Sequence, residues 1–262
     1  MLVSLLDEEI ENPRAVLQYP DARSFRELVA ALSKVLDEAR FELGEDGVKV
    51  VGMDASKTVY MEVFMPRDAF LEYEVPEEEA VYMGVNLQSL INMLKKAKKG
   101  EILSFKISDD RIFMRIESIV VKKFLFPNIE VLLDIPGEIR LEFNVEAAVI
   151  SDALKKALKD VEVVGDIAEF EATEEALIIR AKGEGGARAE TVFSRDSVAL
   201  TFLEVREPST SSYDVAYLKN VLNLTKIAES VEIKFSTDKP LELVFRSPEG
   251  SRIRYLIAPT AI

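Results

Sequence analysis

Cysteine, histidine and tryptophan are missing altogether from these 262 residues, and glutamine occurs only as Gln18 and Gln88. Without cysteine there is no disulfide, thiolate nucleophile or thiolate-bound zinc, and without histidine there is no imidazole base or ligand. Ser-His-Asp and Cys-His chemistry are therefore excluded. Long apolar runs are lacking too. No stretch reaches the roughly 18 residues of a membrane-spanning helix, and the opening MLVSLLDEEIENPR has neither the basic flank nor the apolar core of a secretion signal. The reading is a soluble intracellular protein with no membrane partner. Scarce glutamine beside abundant Glu and Lys matches the bias of heat-adapted proteins.

What is present is ordinary globular material, 48% hydrophobic and 31% charged, enough for one large domain or two smaller ones. Residues 23–39 carry Phe25, Leu28, Val29, Leu32, Val35 and Leu36 at helical spacing. Period-two alternation follows at Val48 and Val50, then at Val59, Met61, Val63 and Met65, with a turn at Asp54-Ala55-Ser56. A second helix is predicted over 86–99, with Gly100 as its C-cap, followed by a hairpin of 102–107 and 111–117. The order then repeats. A strand over 139–145 precedes a helix over 146–160, short strands follow around 170, 178, 191 and 201, a helix is predicted over 214–228, and three strands close the chain. Corresponding helices lie about 123 to 128 residues apart, which reads as a tandem duplication of pattern without evident residue identity. Between the halves, 124–138 holds Pro127, Pro136 and Gly137 and reads as an extended connector, with an internal edge strand as the alternative.

Charge sharpens the picture. The net charge is −14, yet the four helical windows contain 12 basic and 7 acidic residues, leaving −19 on the rest. Lys95, Lys96, Lys98 and Lys99 stand out, with no acid in their window. Four amphipathic helices lining one surface would make a basic face on an acidic protein.

Specific stretches resemble the sliding clamps of archaeal and eukaryotic replication, the proliferating cell nuclear antigen family. They are GVKVVGMD (47–54), MGVNL (83–87), Tyr217-Leu218 and the closing YLIAP (255–259). The chain departs from the family in about 13 additional residues before Ala15, in a short connector, and at basic positions filled here by Asn92 and Asn223.

The resemblance implies an α+β DNA clamp. It would have an extension at 1–14, an N-terminal domain at 15–123, a connector at 124–138 and a C-terminal domain at 139–262. Each domain would carry antiparallel sheets and two helices, and three chains, identical or paralogous, would close a pseudo-sixfold ring whose helices face duplex DNA without reading its sequence. Its DNA-facing candidates are Arg26, Lys34, Lys95, Lys98, Lys99, Lys155, Lys156, Lys159, Lys219 and Lys226. Subunit edges would lie near 111–117 and 187–193.

Polymerase, clamp loader, flap nuclease and ligase would dock a short peptide against Met53, Tyr60, Leu132, Leu133, Ile135, Pro136, Pro240, Leu256, Ile257, Ala258 and Pro259, the last four as an exposed apolar tail. No catalytic residue, cofactor or metal is implied. The setting would be the cytoplasm, on the nucleoid, in an archaeon and the nucleus in a eukaryote. Two other readings stand beside it: a phosphodiesterase using a metal held by clustered carboxylates, and a scaffold that does not bind DNA.

Overall fold

The computed structural model describes residues 10–133, 135, 137 and 139–260. The chain divides into two units. One takes the described residues of Met1–Gly52, Glu62–Asp134 and Glu249–Ser251, the other those of Met53–Met61, Ile135–Pro248 and Arg252–Ile262.

The first half runs β1 (Ala15–Tyr19), α1 (Ala22–Leu32), β2 (Glu38–Gly44), β3 (Gly47–Met53), β4 (Val59–Pro66), β5 (Glu72–Glu74), β6 (Val81–Asn86), α2 (Leu87–Leu94), β7 (Ile102–Ile107), β8 (Arg111–Glu117) and β9 (Lys122–Pro127). One sheet is ordered β5-β1-β7-β8-β9 with every pair antiparallel, and the remaining strands follow β4-β3-β2-β6. In β1, β2 and β7 every second residue is buried, so each strand gives one face to the core. Helix α1 lays Phe25, Leu28, Val29 and Leu32 on that core, none more than 3% exposed. The Phe25 ring stands 5.4 Å from Phe105 and 5.8 Å from Tyr19. Each such buried side chain contributes about 1.5–3 kcal/mol.

The second half runs β10 (Val145–Ile150), α3 (Ser151–Val164), β11 (Ile167–Ala172), β12 (Ala176–Lys182), β13 (Arg188–Ser194), β14 (Leu200–Val205), β15 (Ser209–Asp214), α4 (Val215–Leu218), β16 (Ser230–Phe235), β17 (Leu241–Arg246) and β18 (Arg252–Ile257). Its strands are ordered β14-β10-β16-β17-β18 and β13-β12-β11-β15, again antiparallel throughout. Leu154, Leu158 and Val161 of α3 are buried, and Phe170 meets both Tyr213 and Phe235 edge-on. The orders of the two halves coincide strand for strand, with β1 matching β10 and β9 matching β18, and a helix follows each corresponding strand. The duplication read from pattern is therefore one of topology, in an α+β architecture of two similar halves.

Several boundaries differ from the pattern. Helix α1 stops at Leu32, where Ser33 Oγ donates to the Ala30 carbonyl. Leu36 kept its helical spacing for another reason: it covers Gly52, whose Cβ, if present, would fall 2.3 Å from a Leu36 methyl. Helix α2 is likewise shorter than 86–99, with Asn86 as its N-cap and the lysines beyond its end. Residues 139–143 are not a strand, and 146–150 are not helical but belong to β10. Ladder bonds to β14 and β16 on both sides outweigh the helix preference of Glu and Ala there. The helix expected over 214–228 is one turn, α4, followed by 3-10 turns at Lys219–Val221 and Leu224–Lys226. Asn220, Val221, Asn223 and Thr225 are weak helix formers, and the Thr225 hydroxyl donates to the Leu222 carbonyl.

Two expectations about edges also change. β8 is internal, lying between β7 and β9, because residues expected to open the connector pair as β9 and become the sheet edge. β13 is an edge. Strands β1, β2, β5, β6 and β15 were not marked by the alternation. β15 is the extreme case, since it buries Ser209, Ser211 and Ser212.

Candidate functional site

The positive charge is more concentrated than four helices would make it. Of the +5 in the four sequence windows, +4 comes from Lys95, Lys96, Lys98 and Lys99, and these occupy the turn after α2 instead of the helix itself. All four are exposed, and none makes a salt bridge among the described residues. Cations are favoured at this end of a helix, where carbonyls lack intrahelical partners. Lys34 is exposed in the turn after α1. Arg26 is different: its Nη1 donates to the Ala97 carbonyl at 2.8 Å and its Nη2 pairs with Glu27 at 2.5 Å.

In the second unit, Lys155, Lys156 and Lys159 lie along α3, with Lys155 half-buried and the other two exposed. Asp152, Asp160 and Glu162 cancel their charge on that helix. Lys156 pairs with Asp152 at 2.8 Å one turn away, and this hydrogen bond raises the lysine's pKa and lowers that of the carboxylate. Lys219 pairs with Glu162 at 2.7 Å, and the Lys226 ammonium lies 3.5 Å from the Asn223 side-chain oxygen. Exposed pairs of this kind contribute little to stability. Among the described residues the first unit thus presents turn lysines without salt bridges, whereas in the second Lys156 and Lys219 have carboxylate partners.

The docking candidates separate by burial. Leu132 is 87% exposed, Leu133 and Ile135 are half-buried, and Pro136 lies outside the described residues. Met53, Pro240, Ala258 and Pro259 are half-buried, whereas Tyr60 is 4% exposed. The exposed-tail expectation fails for Leu256 and Ile257, which are 4% and 0% exposed because they belong to β18 and pair with Glu242 and Leu241 of β17. The tail proper begins at Ala258. Its N–H donates to the Thr58 carbonyl at 2.9 Å, and the Thr260 N–H donates to Ser212 at 2.8 Å. Pro259 and Thr260 border a groove of about 570 Å³ whose other walls include Glu169, Thr210, Ser211, Ser212 and Asp238. This acidic, hydroxyl-lined groove was missed from sequence, since its walls come from four separated segments with no shared motif.

Among the described residues no three Asp or Glu side chains converge on a metal-sized site, and no helix is long and apolar enough to cross a membrane.

Residues 17–123 match the family model for the N-terminal domain of proliferating cell nuclear antigen, and 139–260 match that for its C-terminal domain. DNA polymerase sliding clamp 1 of Aeropyrum pernix is 46% identical over 241 residues, covering 92% of this chain and 98% of the relative. The protein of the same name from Sulfolobus acidocaldarius is 34% identical, covering 92% and 97%. Among solved structures, PCNA of Thermococcus kodakaraensis superposes with a TM-score of 0.86 at 28% identity, covering 94% of this chain and all of that one. A chain of the PCNA2-PCNA3 complex of Sulfolobus tokodaii gives 0.87 at 25% identity, with the same coverage.

Proposed function

Since this chain belongs to the proliferating cell nuclear antigen family, we propose that it is a DNA polymerase sliding clamp subunit, which encircles duplex DNA and tethers replication and repair enzymes to it. The observation that carries this reading is the duplicated topology matched by the family in both halves. Two equivalent halves per chain supply the repeat from which three chains build a closed ring, and a ring holds DNA by topology instead of grip. Diffuse lysine charge is then sufficient, because sliding requires phosphate attraction that is blind to sequence. The nine lysine candidates share this role unequally, with the Lys95–Lys99 turn supplying most of the net charge. The acidic remainder repels DNA from the other surfaces.

Edge strand β9 of one subunit meets edge strand β13 of the next, which satisfies backbone groups that both edges leave open. The neighbours are identical or paralogous chains. Residues 15–123 and 139–262 act as the two clamp domains, 124–138 as the connector and 1–14 as an extension. The clamp acts in the cytoplasm, on the nucleoid, and contributes no catalytic group. Polymerase, loader, flap nuclease and ligase dock through a peptide whose apolar anchor covers Leu132 and Leu133. The polar groove beside Pro259 and Thr260 receives hydrogen-bond donors.

Light-scattering mass and retention on DNA test this together. The chain, alone or with its paralogues, should give a trimer that stays on closed circular duplex and runs off the same DNA once linearised. A monomer under every combination, or equal loss from circle and line, would refute it.

A further inference from the structure

We propose that Arg26 is a positioning residue that holds the Lys95–Lys99 turn in shape for phosphate contact and does not itself touch DNA; this rests on reading that turn as DNA-facing. The Arg26 side chain is 24% exposed and reaches from α1 onto the turn that follows α2. Nη1 donates to the Ala97 carbonyl at 2.8 Å and approaches the Lys95 carbonyl at 3.5 Å, while Nη2 meets Glu27 at 2.5 Å. The carbonyls of a turn that follows a helix have no helical donors, and here an arginine from a different helix supplies a charge-assisted one to Ala97.

The same turn is held from two further sides. Asp21 Oδ1 accepts the Arg23 and Ser24 N–H groups at 2.9 Å, capping α1, and its Oδ2 accepts the Gly100 N–H at 3.3 Å. Glu101 Oε2 accepts the Lys98 N–H at 2.8 Å, and the Glu101 carbonyl accepts the Ala22 N–H at the same distance. Asp21, Glu27 and Glu101 are only 9%, 3% and 7% exposed, so three carboxylates lie beneath a turn carrying four solvent-facing lysines. They offset the mutual repulsion of those lysines. A guanidinium committed to carbonyls and Glu27 adds a strut where another free cation would add repulsion. The fork of Arg26 spans carbonyl and carboxylate together, which a lysine ammonium on a flexible stem does not reproduce.

The test uses the assembled clamp with Arg26→Ala, Arg26→Lys and Arg26→Gln, each alone and combined with Lys95→Ala, Lys98→Ala and Lys99→Ala. Two readouts are needed: amide hydrogen exchange at Lys98 and Gly100, and affinity for a short duplex across a salt series. Arg26→Ala should speed exchange at both amides about tenfold, the loss of one charge-assisted hydrogen bond, and should weaken binding. Arg26→Gln keeps a donor without the charge and should restore part of both, whereas Arg26→Lys keeps the charge and should restore less. With the three lysines already removed, Arg26→Ala should weaken binding no further. Better rescue by Lys than by Gln, additive losses, or unchanged exchange would overturn the proposal. If exchange rises while the triple lysine variant binds DNA like wild type, the DNA-facing reading of the turn fails, and the positioning role fails with it.

Discussion

Replacing Lys95, Lys98 and Lys99 with Ala removes three exposed charges that make no salt bridge among the described residues, so the perturbation is nearly pure electrostatics. Each phosphate contact on duplex DNA contributes about 0.9 to the slope of log K against log salt, so losing three lowers that slope by up to about 2.7 for each engaged chain. Taking 1 M salt as the point where the contribution vanishes, a slope loss of that size is about a 500-fold weaker complex at 0.1 M. Folding should barely notice, since exposed substitutions usually stay within about 0.5 kcal/mol each. Titration of the assembled clamp onto an end-labelled duplex, followed by anisotropy from 50 to 500 mM salt, reads slope and affinity at once. Parallel lines with the same slope for variant and wild type would show that the turn is ordinary solvated surface.

Leu132→Ala should weaken a clamp-binding peptide by about 1–2 kcal/mol in calorimetry while leaving the melting temperature unchanged, because an exposed anchor contributes only on binding. Ile257→Ala should do the opposite, destabilising the fold by about 2–5 kcal/mol in denaturant titration, since it empties a buried position of β18. Val192→Lys on edge strand β13, where Val192 is 51% exposed, should lower the assembled mass in light scattering without altering the circular dichroism of the subunit. Acid should act through Glu101. Burial alone would raise its pKa, but the Lys98 N–H, the Ser118 hydroxyl and the charges of Lys122 and Lys98 outweigh it and hold the carboxyl below its usual value. Its stabilisation is then complete above the unfolded value of about 4.3 and is lost as pH falls through the lower folded one. The melting-temperature gap between wild type and Glu101→Gln should therefore narrow as pH drops through that window and stay constant above it.

The strands were legible where alternation was one-sided. Ile102 to Ile107 and Arg111 to Glu117 form the expected hairpin because turn residues separate two apolar-polar runs. β15 was hidden because its buried residues are serines, whose hydroxyls find partners such as the Glu207 and Lys239 carbonyls, so burial left no apolar trace. β10 was hidden by composition, since Glu-Ala-Ala reads as helix until two flanking strands claim its backbone. The lysines of the α2 turn were legible as a cluster. Their location past the helix end was not, because helical periodicity continues smoothly through Leu94 into Lys95 and only the cap marks the stop. For the docking residues, proximity to the C-terminus suggested exposure. Pairing in β18 decided otherwise for Leu256 and Ile257.

Gly84, inside the MGVNL stretch, shows what a family signature measures. A Cβ there would lie 1.8 Å from the Ile129 carbonyl oxygen, the Gly84 N–H donates to the Asn128 side chain at 2.8 Å, and the Ile129 N–H returns to the Gly84 carbonyl at 3.0 Å. Any side chain at 84 collides with backbone, so this position has one acceptable letter. A lysine facing a sliding duplex is under no such restriction: a sequence-blind field is set by a sum of charges, and a cation lost at one site is replaceable at another. Within this fold, then, the residue at 84 is dictated by the backbone that crosses it, while the placement of any one cation is dictated by nothing so local.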